Sequence, residues 1–266
     1  MKIAIVSSRA THHSAHAGAM RDGLARHGIA ASIIPSNTVT DADVVVCWGW
    51  RKGKTYREQG RDVLVMERGY LGDRFAWTSL GWNGLNGRAS WPEPQDGGAR
   101  FLRRFANLRR PWRERPGGYA LIIGQVLGDA ALDGVDMLRW YLDARAAMRR
   151  RGYDVLFRPH PESFRKGHNI GPLAHLAAGG TLDDALSGAA VVVTWNSNTG
   201  VDATLAGIPA ITCDDGAMAR PVTANGLDAA LVMPDRSDWL HRMAWRQWSL
   251  DEIASGAAWD AIKDIR

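Results

Sequence analysis

Apolar residues in this chain fall in short continuous runs, separated by stretches with helical spacing. Residues 2–6, Lys-Ile-Ala-Ile-Val, read as a buried strand that breaks into the polar pair Ser7-Ser8. Residues 16–26 follow at helical spacing and stop at His27-Gly28. The next strands are predicted at 30–35, 43–48 and 62–66, with a helix over 51–59 ended by Gly60. Because these strands are unbroken β-branched runs rather than alternations, they suit a parallel sheet covered on both faces. Strands alternating with helices then specify a doubly wound α/β domain.

Residues 69–98 break the rhythm with seven Gly and two Pro, and contain no recognisable strand or helix. A basic helix is expected over 100–110, then a linker at 113–118, Arg-Glu-Arg-Pro-Gly-Gly. The pattern restarts with strands at 119–123, 154–157, 189–194 and 209–212 and helices at 135–151 and 198–206. Two domains follow, 1–115 and 116–266, with C-terminal helices in the second built around Trp239, Trp245, Trp248 and Trp259. No internal repeat is visible.

Composition narrows the picture. With 45% hydrophobic and 23% charged residues over 266 positions, the chain can bury a sizeable core. No apolar run approaches the roughly 18 residues that cross a bilayer, and a cytoplasmic location is expected. Cys47 and Cys213 are read as buried thiols at strand ends, too few for a disulfide framework or a cysteine zinc site. The net charge of +5 is uneven: residues 51–115 hold fifteen Lys and Arg against seven Asp and Glu, while the rest is slightly acidic. Such local charge suits an anionic partner or a solvated face.

Ligands of open α/β sheets bind beyond the carboxyl ends of the strands. Four such loops in the second domain are polar: Gly124-Gln125-Val126-Leu127-Gly128-Asp129, Arg158-Pro159-His160-Pro161-Glu162, Thr194-Trp195-Asn196-Ser197-Asn198-Thr199-Gly200, and Asp214-Asp215-Gly216. They are expected to converge. Hydroxyls and amides at a helix start, here Ser197, Thr199 and Gly200, suit a phosphate, or they simply cap the helix. Arg158 and His160 could add charge and a donor. The combination of Phe157-Arg158-Pro159-His160-Pro161 with Val193-Thr194-Trp195-Asn196-Ser197-Asn198-Thr199-Gly200 and Gly207-Ile208-Pro209 resembles the donor domain of GT-B glycosyltransferases, particularly bacterial capsule polysaccharide transferases. The resemblance spans roughly residues 118–255. It implies two Rossmann-like domains facing each other across a cleft, and a nucleotide sugar contacted by His160, Ser197 and Thr199, with Gly124, Gln125, Asp129, Arg158, Thr194, Asn196, Asn198 and Gly200 around it.

In the first domain Glu67 and Asp73 follow a strand directly and are candidates for the base that deprotonates an acceptor hydroxyl. Asp73 could equally cap a turn. His12, His13 and His16 after the first strand are alternatives, His16 as base and His13 toward the acceptor; a metal held by His12 and His16 lacks a carboxylate at matching spacing. Arg68, Arg74, Trp77, Trp82 and Asn83 read as an acceptor-recognition loop, with Arg103 and Arg104 on a basic helix face beside it and Phe101 and Phe105 on the other. These features point to a sugar transferase with no essential metal or resident cofactor, the nucleotide sugar being co-substrate. The basic, Trp-rich half favours a hydroxymethylated pyrimidine in duplex DNA as acceptor, as in bacteriophage DNA glucosyltransferases, with a flipped base. The alternatives are a surface or capsule polysaccharide acceptor, an inactive DNA-binding protein on the same fold, and phosphoalcohol transfer from a cytidine diphosphate donor.

Overall fold

The computed structural model describes residues 1–8, 11–36, 38–132, 134–166 and 171–266. In chain order its elements are β1 (Ile3–Ser7), α1 (Thr11–Arg26), β2 (Ala31–Pro35), β3 (Val44–Trp48), α2 (Trp50–Glu58), β4 (Asp62–Arg68), β5 (Thr78–Trp82), α3 (Ala99–Arg104), β6 (Tyr119–Ile123), α4 (Met137–Arg150), β7 (Val155–Arg158), α5 (Pro161–Arg165), α6 (Leu182–Gly188), β8 (Ala189–Thr194), α7 (Thr199–Leu205), β9 (Ala210–Thr212), β10 (Ala224–Asn225), α8 (Ser237–Ala244), β11 (Gln247–Trp248), α9 (Leu250–Ala254) and α10 (Ala257–Ile262). The chain divides into two compact units: residues 1–106 together with 237–266, and residues 107–236. Both are α/β units built on mainly parallel sheets, the doubly wound class that the strand and helix alternation specifies.

The first sheet runs β11-β5-β4-β3-β1-β2. Strands β2, β1, β3 and β4 are parallel, while β5 and β11 run antiparallel to their neighbours. Alternation along the strands divides the residues between two faces. Ile3, Ile5, Val44, Val46, Leu64, Met66, Leu80 and Trp82 pack with Met20 and Leu24 of α1 and with Trp248 and Trp259. Val6, Val45, Cys47, Val63 and Val65 pack on the other face with Tyr56 of α2. Burial pushes the Cys47 thiol up to about 12, so it behaves as a small apolar side chain.

Three features of this unit differ from the sequence expectation. The stretch 69–98 contains a strand, β5, whose Thr78, Ser79, Leu80, Gly81 and Trp82 are all buried. It lacks the β-branched run that marks its neighbours, and Gly81 is there for space: a Cβ would lie 2.8 Å from Ala89 Cβ and from the Trp91 ring. The basic helix stops at Arg104 and gives way to a 3-10 turn at Ala106–Leu108, with Pro111 ahead; Arg110 therefore shares no helix face with Arg103 and Arg104. The unit boundary falls at 106/107, not 115/116, and residues 237–266 belong with the first unit, because β11 pairs with β5 and Trp248, Trp259 and Ile262 complete that unit's core.

The second sheet runs β10-β9-β8-β6-β7, all parallel. Helix α4 starts at Asp136, whose side chain accepts from Arg139 N at 3.0 Å, and it buries Met137, Trp140, Tyr141, Ala144, Ala147 and Met148, a helical stripe. This stripe packs on Ile122, Val155, Phe157 and Val193, whereas Leu121, Leu156 and Val192 face α6 and α7. In each sheet the strand order reverses once, between β1 and β3 in the first and between β6 and β8 in the second. The crevice at the carboxyl ends of such a pair is where doubly wound sheets take their ligands. Among the described residues no helix is long and apolar enough to cross a membrane.

Candidate functional site

At the reversal point of the second sheet, a chain of side-chain hydrogen bonds links the loops after four strands. Gln125, after β6, donates from Nε2 to Asn196 Oδ1 at 2.6 Å and accepts from Asn196 N at 3.0 Å. Asn196, after β8 and 5% exposed, donates from Nδ2 to Ala131 O and to Asp214 Oδ2, both at 2.9 Å, the second bond reaching the loop after β9. From the β7 side, Ser163 Oγ donates to Gln125 O at 3.4 Å. Tyr141 on α4 accepts Gln125 N at 2.8 Å. A small pocket opens here between Gly124, Gln125, Tyr141, Phe157, His160 and Ser163. Gly124 has to be glycine: a Cβ would stand 2.9 Å from both Pro159 Cα and the Phe157 ring. The loops named from the sequence meet here, Asp214 of the loop after β9 among them, whereas Tyr141 and Ser163 are participants that no motif pointed to.

The phosphate cradle at the start of α7 is arranged differently from expectation. Ser197 N donates to Thr194 Oγ1 at 3.0 Å, Thr199 N to Ser197 Oγ at 3.2 Å and Gly200 N to Ser197 O at 3.0 Å, so these amides are already engaged. The half-buried Ser197 and Thr199 hydroxyls lie 3.3 Å apart and are the polar groups that remain at the loop's surface, with Asn198 beside them. Arg158 parts company with His160. Its strand neighbour Phe157 faces the Tyr141 side of the sheet, so Arg158 projects to the α6 side and donates to Gly180 O at 3.2 Å. His160 stays at the pocket, where Nδ1 accepts Glu162 N at 3.1 Å. Asp129 is exposed and caps its own turn, accepting Ala131 N at 2.9 Å.

The reversal point of the first sheet carries a second cluster. His12 and His13, in the first turn of α1, have ring centroids 4.2 Å apart, and both lie against Trp48 at the end of β3, at 5.2 and 5.4 Å. His13 Nδ1 is hydrogen-bonded to Ser8 Oγ. His16, 8% exposed, has both ring nitrogens engaged, Nδ1 with His12 O at 2.6 Å and Nε2 with Thr78 Oγ1 at 2.8 Å. The Arg68 guanidinium, at the end of β4, sits 5.2 Å from the Trp48 centroid and 4.5 Å from that of Phe75, which is 76% exposed. Burial lowers His13 to about 4, with His12, Lys52, His16 and Arg68 adding to the effect. Burial also lowers His16; the His12 carbonyl acts the other way, and Arg68 and His12 reinforce the lowering.

The three groups expected to handle the acceptor proton are not brought together. Glu67 lies on the α2 side of the sheet, with Oε1 near Gly49, whereas His16 and Arg68 are on the α1 side. Asp73 caps a turn, accepting Phe75 N at 2.9 Å. The aromatic recognition loop is largely core. Trp82 is fully buried and donates to Ile262 O at 2.8 Å, Trp77 packs edge-on to Phe105, and Asn83 continues the sheet by accepting Val63 N at 2.8 Å. Arg74 donates to Gly69 O at 3.1 Å. Arg100 is buried and doubly bonded to Glu252 at 2.7 and 2.8 Å; exposed Arg103 and Arg104 lie 3.7 and 3.8 Å from Asp96 and Glu252. Among the described residues no group of three or more His, Cys, Asp or Glu is placed to hold a metal ion.

Among the solved structures that match are two transferases similar over most of the chain. One is the KpsC beta Kdo 2,7 transferase of Thermosulfurimonas dismutans, with a TM-score of 0.57 and 14% identity, covering 97% of this chain and 98% of that one. The other is the KpsC beta Kdo 2,4 transferase of the same organism, with a TM-score of 0.55 and 16% identity, covering 91% and 90%. The chain has a GT-B fold. No family model and no curated protein sequence matches it. The likeness is one of fold, so the chemistry rests on the two clusters at the reversal points.

Proposed function

We propose that the chain is a glycosyltransferase that moves a sugar from a nucleotide-activated donor to a hydroxyl of a glycan acceptor. The observation that carries this is the Gln125–Asn196–Asp214 chain of hydrogen bonds, which fixes the loops after β6, β8 and β9 at the one place in the sheet where a nucleotide is ordinarily taken. In this reading the second unit holds the donor. His160 and the Ser197 and Thr199 hydroxyls meet its phosphates and stabilise the charge that develops on the leaving group, while Gln125 and Asn196 keep the loops from spreading. Arg158 is outside the set.

The first unit serves the acceptor. A glycan is favoured over DNA because much of the basic, Trp-rich stretch that argued for nucleic acid is taken up by the unit's own packing: Arg100 is buried on Glu252, Trp82 is fully buried, and half-buried Trp77 packs on Phe105. The named activity of the two structural neighbours, Kdo transfer, supports a sugar transferase.

Melting curves with UDP-, GDP-, CDP- and CMP-activated sugars test the reading. A donor present at a hundred times its dissociation constant adds about 2.7 kcal/mol, which is a rise of roughly 5 °C or more for a chain of this size. Mass spectrometry of oligosaccharides incubated with that donor should then show one added sugar. A flat response to every donor, with no product, would overturn the proposal; a shift without product would mark a binding protein, and addition to hydroxymethylated DNA alone would reinstate the nucleic-acid acceptor.

A further inference from the structure

We infer that His13 is the base of the transfer: its Nδ1–H donates to Ser8 Oγ, and its Nε2 takes the proton of the acceptor hydroxyl. The inference rests on the transferase reading above and names the group that completes it.

Position comes first. Ser8 leaves β1 and Trp48 ends β3, and these two strands flank the reversal point of the first sheet, so His13 stands in that unit's ligand crevice. The rival groups are disqualified by what they already do. His16 has no ring nitrogen to spare. Glu67 is across the sheet, and Asp73 is tied into a turn. His12 lies against Trp48 and His13, but among the described residues no hydrogen bond fixes its ring. Of these groups, His13 combines an orienting partner on Nδ1 with, among the described residues, no hydrogen-bond partner on Nε2, the arrangement an oriented base requires.

Electrostatics then keeps that nitrogen's lone pair available. The groups facing His13 are His12 and His16 from α1, Lys52 from α2 and Arg68 from β4, all cationic or able to become so. The positive end of the sixteen-residue helix α1 acts in the same direction. Burial first, and these cations after it, lower the ring to about 4, so it is neutral wherever the enzyme would work. In the transfer the acceptor O–H bond breaks toward Nε2, and its electron pair forms the new bond from oxygen to the anomeric carbon. The bond from that carbon to the donor phosphate oxygen breaks, its electrons staying on the departing nucleotide. The proton on Nε2, held weakly among these cations, passes to water.

Three measurements on the whole chain decide the matter. In protein labelled with 15N-histidine, two-bond proton–nitrogen spectra should show His13 with its proton on Nδ1 and neutral down to about pH 5; a proton on Nε2 at pH 7 overturns the assignment. With the donor identified by melting, His13→Gln should lower kcat by about a hundredfold or more, the usual weight of a lost general base, with donor KM moved by less than about threefold. Added imidazole should restore part of the activity of His13→Ala, which a ring used only for packing would not allow. Turnover in His13→Gln equal to wild type, or no rescue of His13→Ala, overturns the inference and leaves the transferase reading standing. If the wild-type chain turns over no donor, both fall.

Discussion

A half-buried histidine that stays neutral in the native protein and protonates in the unfolded chain makes stability depend on acid. For His13 the folded value, about 4, lies below the usual 6.5, so its contribution is complete above pH 6.5 and is lost as pH falls toward 4. His16 is shifted in the same direction. The melting temperature should therefore decline between pH 6.5 and 4 more steeply in wild type than in His13→Gln, which calorimetry at half-unit intervals can show. Superimposable curves would mean that the ring is as easily protonated in the folded state. At this scale the sequence exposed the residues but not their roles. His12, His13 and His16 stood out as a group after the first strand, but only coordinates distinguish a ring with both nitrogens engaged from one with a nitrogen to spare. Glu67 and Arg68 are adjacent in the chain and point to opposite sides of the sheet, a separation that two-residue alternation foretells once a strand is known to run through both.

Among the elements, α3 shows why a run of arginines is a poor guide to its own use. Its Arg100 reaches Glu252 on α9, 152 positions onward, and also donates to Ala244 O at 2.7 Å and Gln247 O at 2.8 Å. The guanidinium rests 4.3 Å from the Trp248 ring centroid. Arg100→Met removes a cation from four partners: two carbonyls lose this donor, and the Glu252 carboxylate loses both Arg100 bonds and keeps the one from Ser249 N. Breaking such a pair from one side should cost about 3 kcal/mol, visible as a lower urea midpoint with an unchanged slope. A midpoint within error of wild type would show that solvent replaces the clip freely. Burial pushes Glu252 up, but the bonds from Arg100 and Ser249 outweigh it and hold the carboxyl below its usual value. Nothing local in residues 99–104 signals a distant carboxylate, which is why the helix read as a surface for an anionic partner. The strands β1, β3, β6 and β8 were legible because burial on both faces demands unbroken apolar runs. Strand β5 was hidden because Thr78, Ser79 and Gly81 meet the same burial with small polar residues and an absent side chain.

At the scale of the whole molecule the chain makes its first unit in two instalments. Residues 237–266 return to supply β11, which borders β5, together with Trp248, Trp259 and Ile262 of the core and Gln247, whose buried side chain accepts Tyr70 N and Leu71 N at 2.7 and 2.9 Å. A chain ending at residue 236 should lose the first unit, recovered as aggregate or with collapsed near-ultraviolet dichroism; a soluble, native-like spectrum would show that the first sheet closes without its last strand. The C-terminal tryptophans were legible as packing residues, but the sequence does not say which sheet they pack on, since a two-residue strand leaves no periodic trace.

This discontinuity has a consequence for synthesis. Residues 237–266 leave the ribosome only after residues 107–236 of the intervening unit have emerged, so the flank of β5 and the indole of Trp82 stay uncovered throughout that interval. An interrupted message would release a sticky half-sheet, and a chaperone that shields one apolar edge during that interval would spare the nascent chain from clumping.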